Sequence, residues 1–148
     1  RQRIESQTLN LFGKQSGAKR AGKVIIATQV IEKNLDIDCD AMISDLEPVD
    51  LLIQRAGRLQ RHIRDRNGLV KKSGQDEREK PVLRILSPEW DDAPRENWLS
   101  SAMRNSAYVY TDNGRMWLTE RTLREQGTIR MQQSERLLIA SVYGGDVN

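Results

Sequence analysis

Cysteine and histidine are almost missing from this sequence, with Cys39 and His62 the only one of each in 148 residues. A single cysteine cannot close an internal disulfide, and its presence as a free thiol fits a reducing cytoplasm. One histidine with no cysteine or carboxylate cluster around it cannot complete a metal site, so no metal is expected in this chain. Acidic neighbours raise a thiol pKa, which makes Cys39 a packing residue rather than a nucleophile. His62 reads as a hydrogen-bonding residue at a helix end. Aromatic residues are only 5% of the chain, and Trp90, Trp98 and Trp117 stand near apolar packing positions, so they are expected in a core or domain contact rather than stacked on bases. No apolar run approaches the roughly 20 residues of a membrane span, and no signal-peptide pattern opens the chain. Two chemical absences matter more. There is no Gly-x-x-x-x-Gly-Lys-Ser/Thr loop to cradle phosphates, and no paired acidic motif after a strand to hold magnesium.

What is present is polar and strongly segregated by charge. Charged residues are 30% and apolar residues 37% of the chain, with a net charge of +3, which describes one water-soluble domain long enough to bury a core. From Arg55 to Lys72 the basic residues Arg55, Arg58, Arg61, Arg64, Arg66, Lys71 and Lys72 are opposed only by Asp65, whereas Glu32 to Glu47 is mostly acidic. The basic segment is an anion site by composition. Its continuation, Arg64 to Lys80, has so few apolar residues that it reads as an exposed loop.

Hydrophobic periodicity predicts alternating helices and strands. Ile4, Thr8, Leu11 and Phe12 are spaced for a helix from Arg1 to Phe12, stopped by Gly13. A basic loop from Gly13 to Gly22 precedes Val24-Ile25-Ile26-Ala27, a continuous apolar run expected as a strand buried on both faces. Ala41 to Ser44 reads as the next strand, and the intervening chain suffices for a crossover, so parallel pairing with the first is feasible. Pro48 suits a helix start, and the pattern from Val49 continues the helix to Leu59. Val82 to Leu86 is a further strand, followed by an irregular connection around Pro88 and Pro94. A short strand at Tyr108 to Tyr110, a turn at Asp112-Asn113-Gly114, a helix from Arg115 to Gln126 ending at Gly127, and a helix from Gln133 to Tyr143 complete the reading.

Within the expected helix over Val49 to Leu59 and just beyond it, helical spacing puts Gln54, Arg58 and Arg61 on one face. Arginine stays protonated at any working pH, and its planar donors match phosphate oxygens, so such a row suits an anion that gains charge during a reaction. Upstream, Ala27-Thr28-Gln29-Val30-Ile31-Glu32 and Leu35-Asp36-Ile37-Asp38 offer hydroxyl, amide and carboxylate groups beyond a strand end, where open α/β sheets bind ligands. These two stretches resemble motif V (about residues 27–38) and motif VI (about 54–61) of the second RecA-like domain of superfamily 2 helicases. With Pro48-Val49-Asp50-Leu51-Leu52-Ile53-Gln54-Arg55-Ala56-Gly57-Arg58 and Arg61-His62 added, the resemblance narrows to the CRISPR-associated helicase-nuclease of type I systems. Residues 108–145 fit that family's closing elements. Two positions depart from the broad helicase pattern: Asn34 stands where many helicases carry glycine, and Gln60 where motif VI commonly has its second glycine and the CRISPR branch often histidine, so no role is carried over to position 60.

The resemblance implies an α/β fold, a RecA-like three-layer domain with a mainly parallel sheet flanked by helices, spanning residues 1–148. It implies that Arg61 is an arginine finger, Arg58 a second phosphate contact, and Gln54 a group that positions the attacking water or a phosphate oxygen. Asp36 would accept from the nucleotide ribose or couple the nucleotide site to DNA, and Thr28 with Gln29 would contact single-stranded DNA. Glu32 matches the family, with a salt bridge to a nearby arginine as an equal reading. ATP and Mg2+ would serve the full-length protein, with none bound by this piece alone, because the phosphate loop and magnesium site belong to a first RecA-like domain elsewhere. The chain then looks like the second domain of a longer protein, cut near Gly145, inactive alone and working with the first RecA-like domain, a nuclease domain and the CRISPR RNA-guided surveillance complex in the cytoplasm, off the membrane. Another superfamily 2 helicase acting on RNA or duplex DNA, and a non-catalytic binding module on a helicase-derived fold, stay open as alternatives.

Overall fold

A computed structural model describes residues 2–28, 35–129 and 134–144. The chain divides into two compact units, Arg1–Met42 with Gly57–Leu83, and Ile43–Ala56 with Arg84–Asn148.

In the first unit, helix α1 (Gln2–Phe12) buries Thr8 and Phe12 and stops at Gly13, whose amide donates to the Leu9 carbonyl at 2.8 Å. A Cβ at Gly13 would lie 2.5 Å from that carbonyl oxygen, so only glycine permits this close return of the chain. The expected basic loop is instead a 3-10 helix, Lys14–Arg20, kinked at Gly17 (φ 55°). Arg20 orders it by turning inward, where it donates to the Asp38 carbonyl and, at 3.1 Å, to the Asp40 carboxylate.

The run Val24 to Ala27 is not a strand. Val24 and Ile26 are 86% and 96% exposed, and only Ile25 turns toward the small core of Phe12, Ile37 and Cys39, with Leu11, Leu35, Met42 and Leu59 around it. A strand buried on both faces needs layers over both, and among the described residues nothing covers the outward side chains. Cys39 packs in this core as anticipated, and burial pushes its thiol pKa up, with nearby Arg20 opposing the shift.

The loop expected to be solvated supplies this unit's most buried charge. Arg64 and Asp38 are both 0% exposed and form a 2.6 Å ion pair. The other guanidinium donors of Arg64 reach the carbonyls of Gly68 (2.7 Å), Gly13 (3.0 Å) and Lys14 (3.2 Å). Arg78 adds a 3.1 Å bond to the second oxygen of Asp38, one of 2.8 Å to Asp40 and one of 2.6 Å to Asp76. Composition misled because arginine can be buried when each donor finds an acceptor.

The second unit carries most of the regular structure. Strands β1 (Ala41–Asp45) and β2 (Val82–Leu86) are neighbours in a parallel sheet, and the chain passes from unit to unit within each of them. Between them α2 (Val49–Ala56) begins on the Pro48 carbonyl, which accepts from Leu51 and Leu52. Among the described residues four further helices follow: α3 (Trp98–Ala102), α4 (Arg104–Val109), α5 (Asn113–Gln126) and α6 (Ser134–Tyr143). Tyr108 to Tyr110 was expected as a strand but ends a short helix. The Tyr110 amide bonds the Ser106 carbonyl at 2.7 Å, a local partner for a segment that has no neighbouring strand among the described residues. Asp112 is no mere turn residue; its side chain caps α5 by accepting from the Arg115 amide at 3.0 Å. At the far end Gly127 takes the left-handed conformation (φ 67°) and closes the helix on the Leu123 carbonyl.

Leu46, Leu52, Trp98, Leu99 and Met116 form one core here, and Val49, Ile53 and Val142 a second. Trp98 is buried as foreseen. Trp90 and Trp117 stack on each other at 5.4 Å, with Arg124 and Arg121 over their rings at 5.3 and 5.5 Å. Their indole N–H groups bond Asp92 and the Asp91 carbonyl at 3.0 and 2.8 Å, which fastens the irregular connection to α5.

Two measurements test the first unit's charge network. Arg64→Ala leaves Asp38 buried beside an emptied site and should cost about 3–5 kcal/mol of unfolding free energy in urea titrations. The Arg78 guanidinium, through its hydrogen bond, holds the Asp76 carboxyl down to about 2 from its ordinary 3.8. A depressed carboxyl pKa stabilises fully above the unfolded value and is lost as pH falls toward the folded one. Proteolytic nicking between Arg64 and Arg78 should therefore rise as pH drops from about 4 to about 2, and Asp76→Asn should raise the nicking at about pH 4 and flatten its rise over that window.

Candidate functional site

The arginine-rich segment is built by a chain that leaves its helix early. Helix α2 ends at Ala56, so Gln54, Arg58 and Arg61 do not share the continuous helical face that their spacing predicted. Beyond Gly57 the backbone lies along the 38–39 segment: the Cys39 amide donates to the Arg58 carbonyl at 2.8 Å, and the Gln60 amide donates to the Cys39 carbonyl at 2.9 Å. This parallel bridge between Cys39 and Leu59 replaces the helical ladder, and the Leu59 side chain joins the core of Phe12, Ile37 and Cys39. Strand-like pairing plus burial of Leu59 outweighs the intrinsic helical preference of the sequence. Gln60 pays with a left-handed backbone, φ 47°. Its side-chain amide donates to the Glu79 carbonyl.

Two aspartates then hold Arg61 in different ways. The buried Asp38 accepts from the Arg61 backbone amide at 3.1 Å. Asp36 takes the side chain instead, with its Oδ1 2.9 Å from the Arg61 Nε and both side chains about half exposed (46% and 50%). The other Asp36 oxygen lies 3.3 Å from His62 Nε2. His62 is thus not a helix-end residue; it lies beyond the helix, facing the carboxylate that holds Arg61.

Of the predicted site residues, the structure brings together Asp36 and Arg61. Arg58 lies in the same unit and contributes its carbonyl to the Cys39 bridge. Thr28 is exposed at the end of the extended 23–28 segment, and Gln54 is exposed on α2 in the second unit. Gln29, Glu32 and Asn34 lie outside the described residues. Sequence reasoning missed Asp38, Arg64 and Arg78 as the supports of this segment. The alternation of Leu35, Ile37 and Cys39 with Asp36, Asp38 and Asp40 assigns all three carboxylates to one polar face, and nothing in that alternation marks Asp38 as the buried one.

The half-exposed guanidinium of Arg61 fits a phosphate: a planar fork of donors at the surface, held by one carboxylate that an incoming anion can replace. Among the described residues no group of three histidine, cysteine or acidic side chains is placed to hold a metal ion, and no helix is long and apolar enough to cross a membrane.

Parallel strands, interleaved helices and an arginine segment clamped beside an Asp-x-Asp stretch define an α/β fold of the RecA-like class. The family model described as "CRISPR-associated nuclease/helicase Cas3, C-terminal" matches residues 1–64. The chain is 34% identical over 125 residues to the CRISPR-associated endonuclease/helicase Cas3 of Escherichia coli K12, covering 84% of this chain and 12% of that protein. The crystal structure of T. fusca Cas3 with ATP superposes with a TM-score of 0.71 at 34% identity, over 99% of this chain and 16% of that one. A chain of a CRISPR RNA-guided surveillance complex in a pre-nicking state gives a TM-score of 0.63 at 33% identity, over 99% of this chain and 17% of that one. The chain belongs to the CRISPR-associated helicase-nuclease family and corresponds to part of its C-terminal helicase region. It spans less than a fifth of each of these relatives.

Position 60 yields a direct test of the turn. Gln60→Val forces a β-branched residue into the left-handed region and should cost about 1–2 kcal/mol in chemical denaturation. Gln60→Gly relieves the same strain and should stay within about 0.5 kcal/mol of the parent, because glycine's greater unfolded-state entropy offsets the gain.

Proposed function

We propose that residues 1–148 are the second RecA-like domain of an ATP-driven translocase on single-stranded DNA, and that the domain supplies the arginine finger to a nucleotide bound mainly by a first RecA-like domain. The observation that carries this reading is Arg61: its amide is clamped by a buried aspartate while its guanidinium stays half exposed. A rigid backbone and a reachable charge are what transition-state stabilisation of a phosphoryl transfer requires, since the donors must already point where charge develops. Family membership supports the reading, as does the likeness to a Cas3 structure solved with ATP.

In this reading Arg61 contacts the γ-phosphate and Arg58 adds a second phosphate contact, while Gln54 positions the attacking water or a phosphate oxygen. Asp36 serves the nucleotide side of the domain. Thr28 and Gln29 donate to phosphates of single-stranded DNA, a contact that positions the strand without reading its sequence. Bound Mg2+ and ATP, held mainly by the first RecA-like domain, supply the phosphoryl group and neutralise its charge; the domain described here adds positive charge and geometry. The full-length protein would pair this motor with a nuclease domain and work in the cytoplasm with a CRISPR RNA-guided surveillance complex, the kind of assembly in which one similar structure was solved.

In the full-length protein, Arg61→Ala should reduce DNA-stimulated ATP hydrolysis by about 10²-fold or more, while changing single-strand DNA affinity by less than about 3-fold. Arg58→Ala should act in the same direction. Steady-state hydrolysis and fluorescence-anisotropy binding report the two quantities, and hydrolysis that survives Arg61→Ala would move the finger to another residue.

A further inference from the structure

The arrangement of Arg61 between two aspartates points to a role for Asp36 that differs from a ribose contact. Asp38 and Asp36 are two residues apart and divide the work. Asp38 is buried, paired with Arg64 at 2.6 Å, and holds the Arg61 amide at 3.1 Å. Asp36 is half exposed and holds only the Arg61 side chain, through Nε at 2.9 Å. The backbone of Arg61 is therefore fixed independently of where its guanidinium goes. Among the described residues, Asp36 is the carboxylate that the guanidinium pairs with.

We propose that Asp36 is a positioning residue that parks the Arg61 guanidinium when no γ-phosphate is present, so that the site distinguishes nucleoside triphosphate from diphosphate. The inference rests on the reading of Arg61 as a finger. An exposed ion pair in water is weak, because solvent screens it and two side chains must be ordered to make it. A carboxylate with one negative charge therefore loses the arginine to a terminal phosphate, which carries more charge and more acceptor oxygens. A diphosphate presents no γ-group and leaves the parked pair intact. His62, 3.3 Å from the second Asp36 oxygen, holds that carboxylate in the parking orientation through the oxygen that Arg61 does not contact.

The cost of unparking appears only in binding that uses the finger. Removing the Asp36 charge should therefore tighten a triphosphate and leave a diphosphate alone, and it should do so only while Arg61 is present. Because Asp36 is half exposed and outside the buried network of Asp38, Asp36→Asn is expected to fold.

Binding of a non-hydrolysable ATP analogue and of ADP to the full-length protein, with magnesium, tests this as a double-mutant cycle over Asp36→Asn and Arg61→Ala. Asp36→Asn should tighten the analogue about 3–10-fold and change ADP affinity by less than about 2-fold, with the selective gain disappearing in the Arg61→Ala background. Equal weakening of analogue and ADP would overturn the proposal and assign Asp36 to the nucleotide ribose. A gain that persists without Arg61 would overturn it as well, since plain charge repulsion would then explain the effect. Arg61→Ala with native Asp36 separates the two levels of the argument: loss of hydrolysis there together with no selective effect of Asp36→Asn sinks only the parking role, whereas full hydrolysis without Arg61 sinks the finger and the parking role together.

Discussion

One carboxylate organises the first unit. Asp38 is fully buried, and a buried ion is tolerable only when charge and hydrogen bonds surround it. Arg64 and Arg78 supply the charge, and each brings a separate stretch of chain with it. Arg64 ties Gly13, Lys14 and Gly68 to the centre through their carbonyls, while Arg78 draws in Asp76, Asp40 and the carbonyl of His62. Burial works against the charge on Arg78, yet hydrogen bonds to Asp76 and Asp40 and the nearby Asp38 raise its pKa above that of an ordinary arginine. A segment with hardly any apolar side chains is thereby given a defined conformation without a hydrophobic core of its own.

The functional consequence runs through one hydrogen bond. The Asp38 oxygen that faces Arg78 also accepts from the Arg61 amide, so the place of Arg61 in space follows from the same network that folds the loop. A fixed backbone and a half-exposed side chain are then compatible, because different aspartates hold the two parts of one residue. In the proposed reading, stability and reactivity are separated by two positions in the sequence, Asp38 and Asp36.

Much of the architecture was legible. Helix α1 with its stop at Gly13, strands β1 and β2, the start of α2 at Pro48, and α5 with its Gly127 terminus all follow from local periodicity and capping, whose causes lie within a few residues. Failures fall where the deciding partner is remote. The apolar run at 24–27 looked like a buried strand, but its outward side chains have no cover among the described residues. Tyr108 to Tyr110 had strand-forming side chains but no neighbouring strand among the described residues, and formed the end and cap of helix α4 instead.

By itself the sequence determined the family, the residue types of the site and the phosphate-suited chemistry of its arginines, because motif spacing and side-chain charge are properties of the chain alone. Tertiary structure alone decided that α2 stops at Ala56, that Leu59 pairs with Cys39, and that the fork expected on one helical face becomes a clamped, extended turn. It also decided which of three alternating aspartates is buried and which arginines answer it. Those outcomes depend on residues 12 to 51 positions apart competing for the same backbone and carboxylate groups, and no local pattern records who wins.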